Sequence, residues 1–334
     1  MPLSSPAQII MFGSPGTGKS YQIKTKFLPQ LEIDPSSGNY NPTVFHPEYT
    51  YGDFMGKLLP RSIEGKVTYN YEAGHFLRAL ARAYRNLLQA ESQPNVALVI
   101  DEINRGNSAS IFGTVFQLLD RGVDGWSNYE VSISDMEFDT LLDEIGVEIK
   151  YSVDTGKVYE FNGKQYSTKT VENILKPLNL NRNQIKLPPN FSLIATMNTS
   201  DNSIYYMDTA FKRRRDWQFV DNDSELSRAE GIAFASRREW EKFVKKLNFF
   251  IRRNHRYIRR VEDKQVGHWF LTGEEISKTQ VQNKVMFYLW DSVFSTNRQP
   301  LIELLKIESD SLVTFGDFTK RVDGFIEQVL SIED

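Results

Sequence analysis

Residues 13–20 read GSPGTGKS, after the apolar run AQIIMF and before a helical segment. A strand, a glycine-rich turn and a helix start, in that order, leave few folds open. Gly13, Gly18, Lys19 and Ser20 fill the pattern G-x-x-x-x-G-K-[ST]. Glycines let backbone N–H groups wrap a phosphate, and the helix N-terminus adds favourable dipole charge. Gly13, Ser14, Pro15, Gly16, Thr17, Gly18, Lys19 and Ser20, with Tyr21 directly after them, are therefore candidate nucleotide-binding residues. Lys19 is expected to neutralise the β- and γ-phosphates, and the Ser20 hydroxyl to take a Mg2+ position. The bland alternative is a glycine turn followed by a chance Lys-Ser.

The surrounding rhythm agrees with a phosphate loop. Strands are expected at 7–12, 43–46, 96–101 and 191–198, with a further one at 216–220. Helical spacing of apolar residues is expected across 74–88 and across 108–119, the second capped by Ser108. Alternation of strands and helices predicts an α/β fold with a mostly parallel sheet covered on both faces. Residues 121–190 break the rhythm and read as an insertion. Within it, Asn162-Gly163 lies between alternating segments, a hairpin signal. From 222 onward helical patterns dominate. The expected organisation is a large α/β subdomain over 1–221, with its insertion at about 121–190, and a helical subdomain over 222–334.

Two further strand ends carry polar chemistry. VALVIDEINR closes on Asp101, placed as a Mg2+-binding carboxylate, and Glu102, placed as general base toward an attacking water. An acidic strand end is common by itself; the phosphate loop gives this one its weight. In IATMNTSDNS, Asn198 would bond the γ-phosphate and the water, and Asp201 would orient a neighbouring cation. A polar turn is the plainer reading. AFKRRRDW packs four cations, from which Arg213 or Arg214 would reach the phosphate of an adjacent subunit, so that the protein must oligomerise. A solvated charged face is the alternative.

Composition narrows the classes. The net charge is −3, so no global basic charge advertises nucleic-acid binding. There are no cysteines, which excludes disulfides, thiolate metal sites and cysteine nucleophiles. No signal-peptide pattern and no apolar run of membrane-spanning length is present. The expectation is a soluble cytoplasmic protein without a membrane partner.

These stretches in this order resemble the AAA+ ATPase superfamily. More narrowly, FHPEYTYGDFMGKLLP, IDEINRGNSASIFGTVFQLLD, LPPNFSLIATMNTSDNS and AFKRRR are similar to the McrB family, over most of residues 7–220. DKQVGHWF, at 263–270, is similar to a further family motif in the lid. The resemblance implies an AAA+ three-layer P-loop core followed by a helical lid, with His268 near the nucleotide as the lid closes. It implies a hexameric ring, GTP in preference to ATP, DNA translocation, and a separate McrC-like nuclease that stimulates hydrolysis. By position Asn198 and Asp201 take the signature's water-positioning and stimulation roles, and Arg213 and Arg214 match the candidate fingers. The sequence departs from the family in reading MNTSDNS for MNTADRS, and KRRRDW for an RRRF-like ending. Its insertion is also longer than the family minimum. The chain begins close to the first strand, so DNA reading is expected from another module or subunit.

A MoxR-like ATPase that remodels proteins is the alternative. A nucleotide-dependent assembly platform with little turnover is a third reading. Basic residues in the insertion and the stretch IRRNHRYIRR, at 251–260, are candidate phosphate-backbone contacts or plain solvated surface. Asp263-Lys264 and Glu239-x-Glu241-Lys242 lack the strand context of a nuclease site.

Overall fold

The computed structural model describes residues 6–63, 65–89, 92–152, 156–178, 180–198, 205, 216–221, 230–271 and 273–333. The chain divides into two compact units, Met1–Arg215 and Asp216–Asp334.

The strands of the first unit are β1 (Gln8–Gly13), β2 (Tyr40–Val44), β3 (Gly56–Ile63), β4 (Lys66–Ala73), β5 (Val96–Asp101), β6 (Val131–Ser132), β7 (Glu148–Ser152), β8 (Gly156–Phe161), β9 (Lys164–Ser167), β10 (Gln184–Ile185) and β11 (Phe191–Asn198). β1 pairs parallel with β11, β11 with β5, and β5 with β2. All of β11 is buried, and in β5 only Asp101 escapes full burial. β5 is an apolar run up to Asp101, and β11 is buried along its whole length, its polar Ser192, Thr196 and Asn198 included, as parallel strands covered on two faces must be. Pro42, which has no N–H to give, sits in β2 at the sheet edge. Helix His75–Gln89 buries Phe76, Leu77, Leu80 and Tyr84 at three- and four-residue spacing. Each such side chain contributes about 1.5–3 kcal/mol on full burial. The Phe76 ring meets Phe191 of β11 at 5.9 Å.

Register positions the site. Gly13 is level with Asn198, Val44 with Asp101, and Ala195 with Ile100. The carboxyl ends of adjacent strands thus deliver the phosphate loop, Asn198 and Asp101 to one edge of the sheet.

Two local expectations change. Asn107, not Ser108, caps the helix Ser108–Phe112: its side chain accepts from Ser110 N at 3.2 Å. Ser108 instead donates to the Ile103 carbonyl at 2.8 Å. The helix tightens to a 3-10 form over Gly113–Leu119, where Gly113 takes a φ of 49° that an α-helix does not allow. The sequence reading also passed over the antiparallel ribbon of β3 and β4.

The described residues of 121–190 add short elements, of which helix Asp135–Ile145 packs against helix His75–Gln89 and β4. β6 and β10 pair antiparallel. Helix Asp135–Ile145 starts on a capping box between Ser134 and Glu137 and ends at Gly146, whose φ is 103°. β7, β8 and β9 make an antiparallel meander. Asn162 and Gly163, at φ 50° and 72°, form the two-residue turn between β8 and β9 that the sequence predicts. Arg121 ties the base together. Its guanidinium donates to the carbonyls of Gly125 (2.6 Å), Leu187 (3.2 Å), Pro188 (2.9 Å) and Phe191 (2.7 Å).

Among its described residues the second unit is mainly helical, with the strand β12 (Asp216–Phe219) and a short antiparallel pair, β13 (Ile232–Phe234) with β14 (Ile276–Ser277), the pair being one that the sequence did not announce. Helix Arg237–Arg253 buries Trp240, Phe243, Val244, Leu247, Phe250 and Ile251, one apolar stripe. Phe243 meets Phe325 of helix Val322–Leu330 edge-on at 5.9 Å.

Candidate active site

Glycine shapes the loop after β1. Gly16 and Gly18 adopt φ of 80° and 81°, a left-handed backbone that other residues hold at a cost. A Cβ at either would meet nothing within 4 Å, so the loop faces open space. The Thr17 hydroxyl donates to the Ser14 carbonyl at 3.0 Å across the turn. The buried Lys19 ammonium donates to the carbonyls of Gly13 (3.0 Å) and Ser14 (2.8 Å). A cation is therefore held at the loop by its own backbone. Tyr21, on the first helical turn, is exposed.

Ser20 lies on that turn and donates through Oγ to Asp101 Oδ1 at 3.1 Å. Thr196 Oγ1 donates to the same carboxylate oxygen at 2.8 Å and accepts from the Glu102 N–H at 3.2 Å. One hydroxyl on β11 thus fixes both acidic residues at the end of β5. Glu102 has φ 56° and ψ 46°, a left-handed conformation that costs a non-glycine residue roughly 1–2 kcal/mol. That turn lets its side chain meet the next strand: Asn198 Nδ2 donates to Glu102 Oε1 at 2.5 Å. Glu102 Oε2 is buried and accepts no hydrogen bond among the described residues, with Arg105 Nε 3.4 Å away as its ion partner. Asn104, also buried, donates to the Asn198 carbonyl at 3.0 Å.

A hydroxyl and a carboxylate oxygen converging beside an open glycine loop form a hard-oxygen donor set. That suits Mg2+ held largely by phosphate and water, with only one or two protein ligands. Among the described residues no cluster of three or more His, Asp or Glu offers an all-protein metal cage. The fit is thus to a metal that arrives with a nucleotide.

The structure brings Gly13–Ser20, Asp101, Glu102 and Asn198 to one place. Asp201, Arg213 and Arg214 lie outside the described residues. His268 is in the second unit, in the turn His268–Phe270, and its side chain is exposed. Its carbonyl accepts from Trp240 Nε1 at 2.7 Å.

A family model, AAA domain (dynein-related subfamily), matches residues 8–215. The chain belongs to this AAA family. It is 30% identical over an alignment of 351 positions to the Type II restriction enzyme BsuMI component YdiS of Bacillus subtilis (strain 168), covering 96% of this chain and 87% of that one. It is 26% identical over 215 residues to the Type IV methyl-directed restriction enzyme EcoKMcrB subunit of Escherichia coli (strain K12), covering 64% of this chain and 34% of that longer relative. The AAA protein is McrB-like, as MNTSD and DEINR imply. Among the described residues no helix is long and apolar enough to cross a membrane.

Sequence reading missed Thr196, Asn104 and Arg105 as members of this AAA site. Thr196 was available: on a strand, the residue two before Asn198 faces the same side. Asn104 and Arg105 carry no such signal, because their placement depends on the left-handed turn at Glu102.

Proposed function

We propose that the chain is an McrB-like nucleoside triphosphatase that powers a DNA-restricting complex. Gly13, Ser14, Pro15, Gly16, Thr17, Gly18 and Lys19 would hold the β- and γ-phosphates, with Tyr21 flanking them. Ser20 and Asp101 would hold Mg2+, which when bound neutralises charge on the phosphate oxygens. Glu102 would take a proton from the attacking water, and Asn198 would place that water against the γ-phosphate. Asp201, Arg213 and Arg214 would complete the site, the arginines across a subunit boundary, and His268 would approach from the lid over 222–334.

The observation that carries this reading is the chain of hydrogen bonds from Ser20 through Asp101, Thr196 and Glu102 to Asn198. It joins the phosphate loop to every expected catalytic group of the described residues. The restriction-enzyme relatives support the biological setting. In that setting the protein forms a homo-oligomer, expected to be a hexameric ring, binds GTP or ATP, drives DNA translocation in the cytoplasm, and works with a McrC-like nuclease.

Steady-state hydrolysis of GTP and ATP with Mg2+, across a protein concentration series, tests the proposal. Cooperative activity with GTP preferred is the expected result. Strong ATP preference with no response to DNA or to a nuclease subunit would move the protein to the MoxR-like class.

A further inference from the structure

The second unit carries a concentrated positive surface that the nucleotide site does not use. Arg252, Arg253, Arg256, Arg259 and Arg260 are all exposed, as are His255 and Tyr257 between them. None of these arginines forms an ion pair with a carboxylate among the described residues. Elsewhere in the unit Lys278 pairs with Asp323 at 2.7 Å and Lys284 with Asp216 at 2.8 Å. The chain as a whole is slightly acidic, so this is a local reversal of charge.

The backbone beneath is a helix end followed by two short turns. Helix Arg237–Arg253 ends on Asn254, whose side chain donates to the Phe250 carbonyl at 2.9 Å. A 3-10 turn follows over His255–Tyr257, and Ile258 anchors it, 8% exposed. Arg260 then takes a left-handed φ of 53° and opens the turn Val261–Lys264. Arg252 and Arg253 gain from the negative end of the helix dipole. Arg256, Arg259 and Arg260 lie beyond it, and Glu262 and Asp263 follow in the next turn without pairing with them among the described residues.

We propose that this arginine surface contacts the sugar-phosphate backbone of duplex DNA, without reading sequence. Guanidinium groups bind phosphate through paired donors, and every cation in the run 252–260 apart from His255 is arginine. Tyr257 is the one large apolar or aromatic residue exposed in the run, at 40%. An acidic protein partner would want an apolar centre, which is missing here. A single strand would want several stacking aromatics, which are also missing. A polar, strongly positive surface is what protein–DNA interfaces use.

The test is fluorescence anisotropy of the full chain with a labelled, unmodified DNA duplex over a salt series. Each phosphate-contacting arginine adds about 0.9 to the magnitude of the slope of log affinity against log salt. R256Q/R259Q/R260Q should lower that magnitude by roughly 2 to 3 and weaken binding at least tenfold at low salt, while nucleotide binding is retained. The single variants R256Q, R259Q and R260Q, each lowering it by about 0.9, cover the case in which the triple variant fails to fold. Absence of duplex binding by the parent protein at low salt overturns the proposal. So does an unchanged slope in the variants, including the case where only their oligomeric state changes, which would assign the arginines to a protein interface. Nucleotide hydrolysis is measured separately, so failure here leaves the triphosphatase reading standing.

Discussion

Asn198 donates its side-chain amide to Glu102 at 2.5 Å, joining the expected water-positioning residue to the expected general base. The pair is possible because β11 delivers Asn198 level with Gly13, and because Glu102 turns left-handed at the end of β5. Asn198→Ala should leave nucleotide affinity within a few-fold and lower turnover roughly 100-fold, as expected for loss of one preorganised donor. Single-turnover hydrolysis with bound nucleotide measures this. Undiminished turnover would remove Asn198 from the catalytic groups.

Thr196 is predicted to act through its two acidic neighbours. It holds Asp101 Oδ1 and the Glu102 N–H with one hydroxyl. Thr196→Val keeps the shape and removes both bonds. It should raise the Mg2+ concentration needed for tight nucleotide binding and slow hydrolysis, roughly 10- to 100-fold. Thr196→Ser should restore most of both. If valine and serine behave alike in a Mg2+ titration of nucleotide binding, Thr196 is only a buried packing residue.

Much of this was legible in the sequence, for identifiable reasons. GSPGTGKS needs its glycines at fixed places, and Gly16 and Gly18 take the positive φ that other residues avoid. FSLIATMN is an unbroken buried strand because two faces are covered. Asn162-Gly163 announces its turn by chemistry alone. What escaped was of another kind. KVTYNYEA, in β4, alternates as a strand should, yet most of its side chains are exposed, so it lacks the apolar face that marks a core strand. Arg121 makes its bonds to backbone carbonyls distant in sequence, and carbonyls carry no residue identity. Arg105 meets Glu102 three residues back only because of the turn between them.

Arg121 is predicted to hold the insertion to the sheet. Burial disfavours its charge and pushes its pKa down, while four carbonyls accept from its guanidinium. Arg121→Met leaves those acceptors short of partners, at a cost of roughly 2 to 4 kcal/mol. A fall in melting temperature on the order of 5 to 15 °C should follow for a unit of this size. Thermal unfolding followed by circular dichroism checks it. A change of a degree or less would mean that water replaces the arginine.

Lys19 is predicted to govern binding more than chemistry. Its ammonium rests on the carbonyls of Gly13 and Ser14, so the loop keeps it in place before phosphate arrives. Lys19→Ala should abolish detectable binding of a fluorescent nucleoside triphosphate while the melting profile stays cooperative. Retained affinity would contradict the assigned phosphate loop.

The most direct test of the account separates binding from turnover at Glu102. Nucleotide affinity and steady-state hydrolysis would be measured for the parent chain and for Glu102→Gln, each with GTP and ATP in Mg2+. Glutamine keeps the length and the bond to Asn198 but cannot accept the proton. Affinity should persist while hydrolysis falls roughly 100- to 10,000-fold, the span expected for loss of a general base. Equal hydrolysis by the two proteins would contradict the central claim, because the hydrogen-bonded groups at the strand ends would then not be the catalytic site.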